Sequence, residues 1–88
     1  MDAINTSQTW SLIKLHAVIF SIFTLIYSLV DFRKHFGADP KDVLYFSTTV
    51  HSTVGLGDIT PKTPTAKTLV TMHMVLSFIA TLLILEQV

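Results

Sequence analysis

Two long apolar segments stand near the two ends of the chain, and most of the charged residues lie between them. The first segment runs from about residue 10 to 30 and the second from about 69 to 85. About 20 residues are needed to cross a hydrocarbon core about 30 Å thick, so the first segment is long enough and the second is near the lower limit. The pattern predicts a membrane hairpin rather than a soluble domain.

The ends of both segments carry residues expected at membrane boundaries and helix termini. Trp10 and Tyr27 lie towards the two ends of the first segment, where interfacial aromatic residues are common. Thr63 is a suitable N-cap and Pro64 a suitable first helical residue, so the second helix is predicted to begin before its apolar part. We therefore predict an outer helix over about 10–30 and an inner helix over about 64–87.

The segment between these helices contains a third, shorter helical pattern. Residues 31–39 are polar and are predicted to form a turn. Asp39 and Pro40 then supply a cap and a first helical residue, and the residues after them predict a helix over about 40–52. Because three turns are too few to span a bilayer, we expect this helix to enter the membrane and return on the same side.

Composition excludes several classes of function. The 88 residues are 50% hydrophobic, with a mean hydropathy of +0.58, no net charge and no cysteine. Nucleic-acid binding and thiolate metal sites do not fit this composition, and no arrangement of residues indicates an enzyme or a bound cofactor. The four histidines, at positions 16, 35, 51 and 73, lack metal-ligand spacing on any one helix. His16 and His73 are therefore predicted to be neutral, hydrogen-bonded packing residues.

The most specific motif directly follows the short helix. Residues 53–58, hereafter the filter segment, read Thr-Val-Gly-Leu-Gly-Asp. This motif resembles the selectivity filter of potassium channels, whose usual form has tyrosine in place of Leu56. With His51 and Ser52 before it, the motif is similar to that of the miniature potassium channels of large algal viruses. The resemblance covers almost the whole chain, and the alternative is a glycine-containing turn between two helices.

The resemblance implies that backbone carbonyls of Thr53, Val54, Gly55 and Leu56 bind K⁺, with Gly57 completing the filter. Rings of carbonyl oxygens can replace the hydration shell of the ion. Gly55 and Gly57 suit this role because glycine tolerates the positive φ that such a backbone requires. The Thr53 hydroxyl is expected to add the innermost oxygen layer, and the side chains of Val54 and Leu56 are expected to pack behind the filter.

Residues around the filter segment are expected to support it. Asp58 is predicted to bond to nearby backbone, to attract cations at the outer mouth, or to do both. Tyr45 and Phe46 occupy positions where the family often has two aromatic residues that brace the filter. His51 and Ser52 are expected to belong to the same supporting cluster.

Two positions depart from the family's pattern. Leu56 lacks the hydroxyl that the family's tyrosine uses to bond to the aromatic residues. Thr49 stands where some members have a glutamate that pairs with the filter aspartate. We therefore expect the filter to be held mainly by apolar contact.

Two further predictions concern the half of the membrane below the filter segment. Counted from the filter, Ser77 stands where larger relatives often have a hinge glycine, and Phe78 follows on the pore-facing side. Ser77 is expected to bond to the carbonyl of His73 or to release it, and thereby to move Phe78 as an inner gate. Lys14 is expected to form an interfacial ion pair with Glu86 or with the C-terminal carboxylate.

These inferences combine into one fold and one function. The predicted fold is an all-α membrane protein in which two transmembrane helices flank a re-entrant pore helix and selectivity filter. The resemblance implies a four-fold symmetric homotetramer in lipid, within a host cell membrane or a virion internal membrane. The predicted function is passive, selective conduction of K⁺, with Ba²⁺ as a blocker and no nucleic-acid partner.

Two alternative functions and one conflict about orientation remain. The alternatives are a non-selective cation channel of the same shape and a pore-forming viral membrane protein without a filter. Reversal potentials in mixed K⁺ and Na⁺, together with sensitivity to Ba²⁺, distinguish them. Five of the six basic residues lie between the apolar segments, which favours a cytoplasmic centre by the positive-inside rule. The filter resemblance places the centre outside, and we follow the resemblance.

Overall fold

The computed structural model describes residues 6–86 as four helices, with no strand in that range. Helix α1 spans Thr6–Leu29, α2 spans Phe32–Phe36, α3 spans Val43–His51 and α4 spans Pro64–Leu85, and a 3₁₀ turn, Pro40–Asp42, leads into α3. Both α1 and α4 are apolar and long enough to cross a membrane. The prediction of a helical protein with two membrane-capable helices is confirmed.

The long helices differ slightly from the prediction at their ends. α1 begins at Thr6 rather than near residue 10. Thr63 caps α4, since its hydroxyl accepts a hydrogen bond from the backbone N–H of Ala66 at 3.1 Å, and Pro64 is the first helical residue. α4 ends at Leu85, and the residue at which the inner helix was predicted to end lies outside the described residues.

The segment after α1, predicted as a polar turn, instead contains α2. Asp31 caps this helix by accepting a hydrogen bond from the Lys34 N–H at 3.2 Å, and Gly37 ends it in the left-handed conformation, with φ +65°. The turn prediction overlooked Phe32 and Phe36, which are both buried. Residues four apart share one face of a helix, so this pair folds a mostly polar segment onto the core.

The short central helix forms in two steps. Asp39 accepts a hydrogen bond from the Lys41 N–H at 2.9 Å and begins the 3₁₀ turn, in which Pro40 takes the first position. α3 then runs for 9 residues, from Val43 to His51, and is therefore shorter than the predicted helix over 40–52. α3 packs against both long helices.

An aromatic cluster forms the core where α1, α2 and α3 meet. Tyr27 is fully buried, and its ring centroid lies 5.6 Å from that of Phe36 and 5.4 Å from that of Phe46. Both contacts are edge-to-face, a geometry that aromatic pairs prefer. Phe32 packs on Phe36 with the ring centroids 4.8 Å apart. The cluster holds one side of α3 and so determines the direction in which α3 leaves the core.

Candidate functional site

The filter segment leaves the end of α3 with an alternating backbone. φ is positive at every second residue, +66° at Thr53, +54° at Gly55 and +82° at Gly57. In an ordinary strand successive residues face opposite sides. Reversing the sign of φ at alternate residues turns successive carbonyls towards one side. Glycine takes this conformation freely, whereas at Thr53 it costs about 1–2 kcal/mol. Sequence reasoning found the two glycines but missed the strain at Thr53.

Backbone hydrogen bonds attach the filter segment to the last turn of α3. The N–H of Thr53 donates to the carbonyl of Val50, and the N–H of Gly55 donates to the carbonyl of Thr49, each at 3.1 Å. The Thr49 carbonyl also accepts a bond from the Ser52 hydroxyl at 3.3 Å. Helix ends leave such carbonyls without intrahelical partners. The last turn of α3 therefore determines where the filter segment begins.

The apolar side chains of the filter segment are not packed within one chain. Val54 and Leu56 are each 61% exposed, and they border a hollow beside α3 together with Thr48. Thr53 borders a second hollow, of about 510 Å³, which also contains Phe78 of α4. Both sides of the filter segment are therefore open in a single chain. The predicted packing behind the filter needs atoms from outside this chain.

A hydrogen bond holds the outer end of the filter segment. The Tyr45 hydroxyl donates to Asp58 Oδ2 at 2.6 Å, and this bond raises the pKa of Tyr45. The expectation that the filter is held mainly by apolar contact is therefore wrong at this end, because Tyr45 supplies a hydroxyl where Leu56 cannot. Phe46 instead lies buried in the aromatic cluster. Thr49 uses its hydroxyl within α3, donating to the Phe46 carbonyl at 2.8 Å.

Ser77 and Phe78 lie on different sides of α4. Phe78 is 57% exposed and borders the same hollow as Thr53. Ser77 is fully buried, and its hydroxyl oxygen lies 3.1 Å from Nδ1 of His51. Among residues 6–86, no hydrogen bond joins the Ser77 hydroxyl to the carbonyl of His73. The structure therefore has Ser77 released from its own helical turn, which is one of the two predicted states, and the partner that replaces the turn, His51 at the end of α3, was not foreseen.

Three histidines that are far apart in the sequence come together beside the end of α3. Nε2 of His51 lies 3.0 Å from Nδ1 of His16 on α1, and Nδ1 of His51 lies 3.1 Å from Nε2 of His73 on α4. The Tyr27 hydroxyl lies 2.9 Å from Nδ1 of His73. Burial lowers the pKa of His51, and the neighbouring His16 lowers it further. No spacing in the sequence signals this group, because its members lie on three helices.

The three clustered histidines face one another rather than a shared point. In the described part of the chain, no set of histidine and acidic side chains is arranged to hold a metal ion. The ring nitrogens that face one another are already within hydrogen-bonding distance of each other. The fourth histidine, His35, lies apart, with Nδ1 2.6 Å from the Thr63 hydroxyl oxygen.

Among the described residues, the predicted ion pair between Lys14 and Glu86 does not form within one chain. Among residues 6–86, the ion pair with a nitrogen–oxygen distance below 4 Å is a different one. It joins the exposed side chains of Arg33 and Asp39, with 3.4 Å between the guanidinium nitrogen and the carboxylate oxygen. Lys14 and Glu86 are therefore unpaired with each other inside the chain. The C-terminal carboxylate lies outside the described residues. A pair between neighbouring subunits stays a prediction.

Comparison with known proteins identifies the class of this protein. A family model described as an ion channel matches residues 8–88, and the chain belongs to this family. The chain is similar to the Potassium channel protein kcv of Paramecium bursaria Chlorella virus 1, with 40% identity over 73 residues that cover 73% of this chain and 78% of that protein. No solved structure matches the chain. The predicted resemblance to miniature viral channels is confirmed.

Proposed function

We propose that the protein forms a K⁺-selective channel that conducts the ion passively down its electrochemical gradient. Carbonyl oxygens of Thr53, Val54, Gly55 and Leu56, with the Thr53 hydroxyl, replace the hydration shell of K⁺. The viral relative is named a potassium channel, which supports this choice of ion. K⁺ is then the transported species rather than a cofactor, and no covalent step is required.

The observation that carries the proposal is the alternating φ of the filter segment. A turn between two helices needs only one or two residues with positive φ, whereas here positive φ recurs at Thr53, Gly55 and Gly57. A simple turn also gives no reason for Thr53 to adopt a conformation that costs about 1–2 kcal/mol. When several chains surround an axis, carbonyls that point to one side of each chain can form rings of oxygen ligands for an ion.

Conduction requires several copies because one chain supplies only one arc of each carbonyl ring. We expect a cyclic homotetramer, in which identical arcs close into rings. Neighbouring subunits then cover Val54 and Leu56, which are exposed in one chain. Protein on all sides allows an irregular backbone at membrane depth. Asp58 stands at the outer mouth of the filter, and the four α3 helices direct the negative ends of their dipoles towards the cavity, where they favour a cation.

The inner gate is assigned to Phe78. Its ring is exposed on the side of α4 that faces Thr53, so four such rings can narrow or dewet the passage below the filter. Ser77, held by His51, sets the rotation of α4 at this level. Ser77→Gly should lengthen openings without changing unitary conductance, and Phe78→Ala should remove the same closed state. Variants that alter tetramer stability but leave dwell times unchanged would contradict this assignment.

Single-channel recording in a planar bilayer tests the proposed function. We expect reversal potentials that follow the K⁺ gradient in mixed K⁺ and Na⁺. Ba²⁺ should block, since it is close to K⁺ in size with twice the charge, and Thr53→Ser should weaken the block. Equal permeation of Na⁺ would favour the non-selective channel. Conductance that is indifferent to Ba²⁺ would favour a pore without a filter.

A further inference from the structure

A continuous row of hydrogen-bonding side chains crosses three helices beside the end of α3. It runs from Tyr27 through His73 and His51 to His16, with successive contacts of 2.9, 3.1 and 3.0 Å. Each of the two central rings uses both of its nitrogens. The row joins α1, α3 and α4, and both of its ends, Tyr27 and His16, lie on α1 about three turns apart. Its member on α3, His51, stands two residues before Thr53.

The chemistry of neutral imidazole allows this row only two directions. Each neutral ring has one N–H donor and one acceptor nitrogen, so placing one proton determines all the others. Tyr27 selects between the two directions. Its side chain is fully buried among the rings of Phe23, Phe36 and Phe46, and its hydroxyl has a hydrogen bond to His73. A buried hydroxyl that did not donate would leave its proton without a partner, which is unfavourable.

The direction of the row follows from this choice. Tyr27 donates to Nδ1 of His73, so the proton of His73 is on Nε2 and points at Nδ1 of His51. The proton of His51 is then on Nε2 and points at Nδ1 of His16. In the described residues, no hydrogen bond or ion pair joins a carboxylate, lysine or arginine to the row, and Ser77 is the further side chain hydrogen-bonded to it. The rings of Phe23 and Phe20 on α1 also contact it, against His73 and His51 respectively, and neither ring is titratable.

Ser77 enters the row at its central ring. Its hydroxyl oxygen lies 3.1 Å from Nδ1 of His51, the same nitrogen that accepts from His73. An imidazole nitrogen has one lone pair in the ring plane, so Ser77 and His73 compete for it. Both donors belong to α4, and they lie one turn apart. The balance between them couples the rotation of α4 to the end of α3.

We propose that His16, Tyr27 and His73 are positioning residues for the filter, acting through His51 as one hydrogen-bonded row that runs from Tyr27 to His16. His51 is the last residue of α3, and the N–H of Thr53 bonds to the carbonyl of Val50 in the same turn. Tilting this turn therefore moves the first carbonyl of the filter segment. The effect on conduction rests on the proposed function, whereas the direction of the row does not.

The row ends at His16, whose Nδ1 is the final acceptor on α1. Removing this acceptor breaks the contact with His51 and should release the end of α3 from α1. The chain offers a matched control in His35, which lies outside the row and contacts Thr63 instead.

Solid-state NMR of the ¹⁵N-histidine-labelled channel in lipid bilayers tests the direction of the row. We expect the proton on Nε2 of His16, His51 and His73, with through-hydrogen-bond nitrogen–nitrogen coupling for His16–His51 and for His51–His73. His35 should show no such coupling, and Ser77→Ala should strengthen the coupling between His51 and His73. Protons on Nδ1, or rings without coupling, would overturn the proposal even if the channel selects K⁺ normally.

Single-channel recording then tests the positioning role. His16→Leu removes the final acceptor and should reduce the open-to-closed ratio about fivefold, the effect of one net hydrogen bond. It should leave the reversal potential unchanged. His16→Asn keeps an acceptor oxygen and should restore most of the opening, and His35→Gln should behave as wild type. If Asn and Leu at position 16 behave alike, the row does not position the filter. A wild-type channel that does not select K⁺ over Na⁺ would instead contradict the proposed function. The NMR result on the direction of the row would be unaffected.

Discussion

The two sides of α3 are stabilised in different ways. The side towards α1 and α4 is complete within one chain: Phe46 is buried, and the fully buried Ser47 has its hydroxyl oxygen 2.6 Å from that of Thr24. The opposite side carries Leu44 and Tyr45, which are exposed next to the filter segment. In the proposed tetramer, each chain therefore supports its own filter segment from one side, and neighbouring copies cover the other side.

This division has a physical reason. A helix of 9 residues is marginal on its own, so α3 depends on contacts with other elements. The contacts inside the chain, an aromatic cluster and a row of polar side chains, hold it before any neighbour is present. The filter side cannot be packed in the same way under the proposed function. If side chains of the same chain covered the filter carbonyls, these carbonyls could not face an axis shared by several chains. The predictions that follow test the two sides separately, beginning with the largest expected effect.

The strongest test of the filter side is Gly55→Ala, which should abolish K⁺ current. Gly55 has φ +54°, a conformation that residues with a Cβ rarely adopt, and no atom of its own chain lies within 4 Å of an added Cβ, so no clash inside the chain contributes to the loss. Gly37 is the matched control, since it also has positive φ (+65°) but ends α2 outside the filter. Gly37→Ala should lower stability by about 1–2 kcal/mol and preserve selectivity. Planar-bilayer recording measures this. Normal K⁺ current from Gly55→Ala would contradict the assignment of residues 53–58 as a selectivity filter.

Acid should weaken the interior side. The pKa of His51 in the fold lies below its ordinary value of 6.5, because burial and then His16 disfavour its charged form. Between the folded pKa and 6.5 the unfolded chain binds more protons than the folded one, so stability is complete above pH 6.5 and falls as the pH drops below it. Thermal unfolding of the purified protein at several pH values measures this. His51→Gln should flatten the dependence, His35→Gln should not, and greater stability in acid would contradict the argument.

Adjacent hydroxyls on α3 allow a smaller and cleaner comparison of its two sides. Ser47→Ala removes the bond to Thr24 on α1 and should destabilise the protein by about 1 kcal/mol. Thr48 is exposed and donates to the Leu44 carbonyl of its own helix at 2.7 Å, so Thr48→Ala should change stability by less than about 0.5 kcal/mol. Thermal unfolding of both variants in the same detergent measures the difference. Equal losses would indicate that the filter side is held as firmly as the interior.

The smallest expected effect concerns the outer end of the filter. Tyr45→Phe keeps the ring and removes the hydroxyl that donates to Asp58. We expect shorter openings, because Asp58 is released, with the reversal potential and unitary conductance close to wild type. Single-channel dwell times measure this, and Leu44→Phe, one residue earlier on the exposed side, controls for altered packing. Loss of selectivity in Tyr45→Phe would mean that this bond shapes the ion sites themselves.

Local features of the sequence were sufficient to predict several parts of the fold. The two apolar segments, the caps Asp39 and Thr63, and the need for glycine at positions 55 and 57 all follow from neighbouring residues. Each depends on interactions within about one helical turn or on the conformational freedom of a single residue. These predictions required no knowledge of how the helices pack.

Two predictions from local sequence were wrong, namely the turn after α1 and the purely apolar support of the filter segment. Both relied on the composition of a segment rather than on the positions of its side chains. The segment after α1 is mostly polar, yet the spacing of Phe32 and Phe36 was enough to form α2. Leu56 lacks a hydroxyl, yet the required donor stands one helix earlier, at Tyr45. In both cases the deciding signal was which face of a short helix a side chain occupies.

The sequence by itself therefore determined the number of spans, the motif and the caps, whereas the tertiary structure decided the partners of the polar side chains. His16, His51 and His73 meet only because α1, α3 and α4 pack with particular rotations about their axes. The same rotations direct Ser77 to His51 instead of to its own helical turn. Rotation and register are set by the whole packed core, so residues tens of positions apart become hydrogen-bond partners without any local signal.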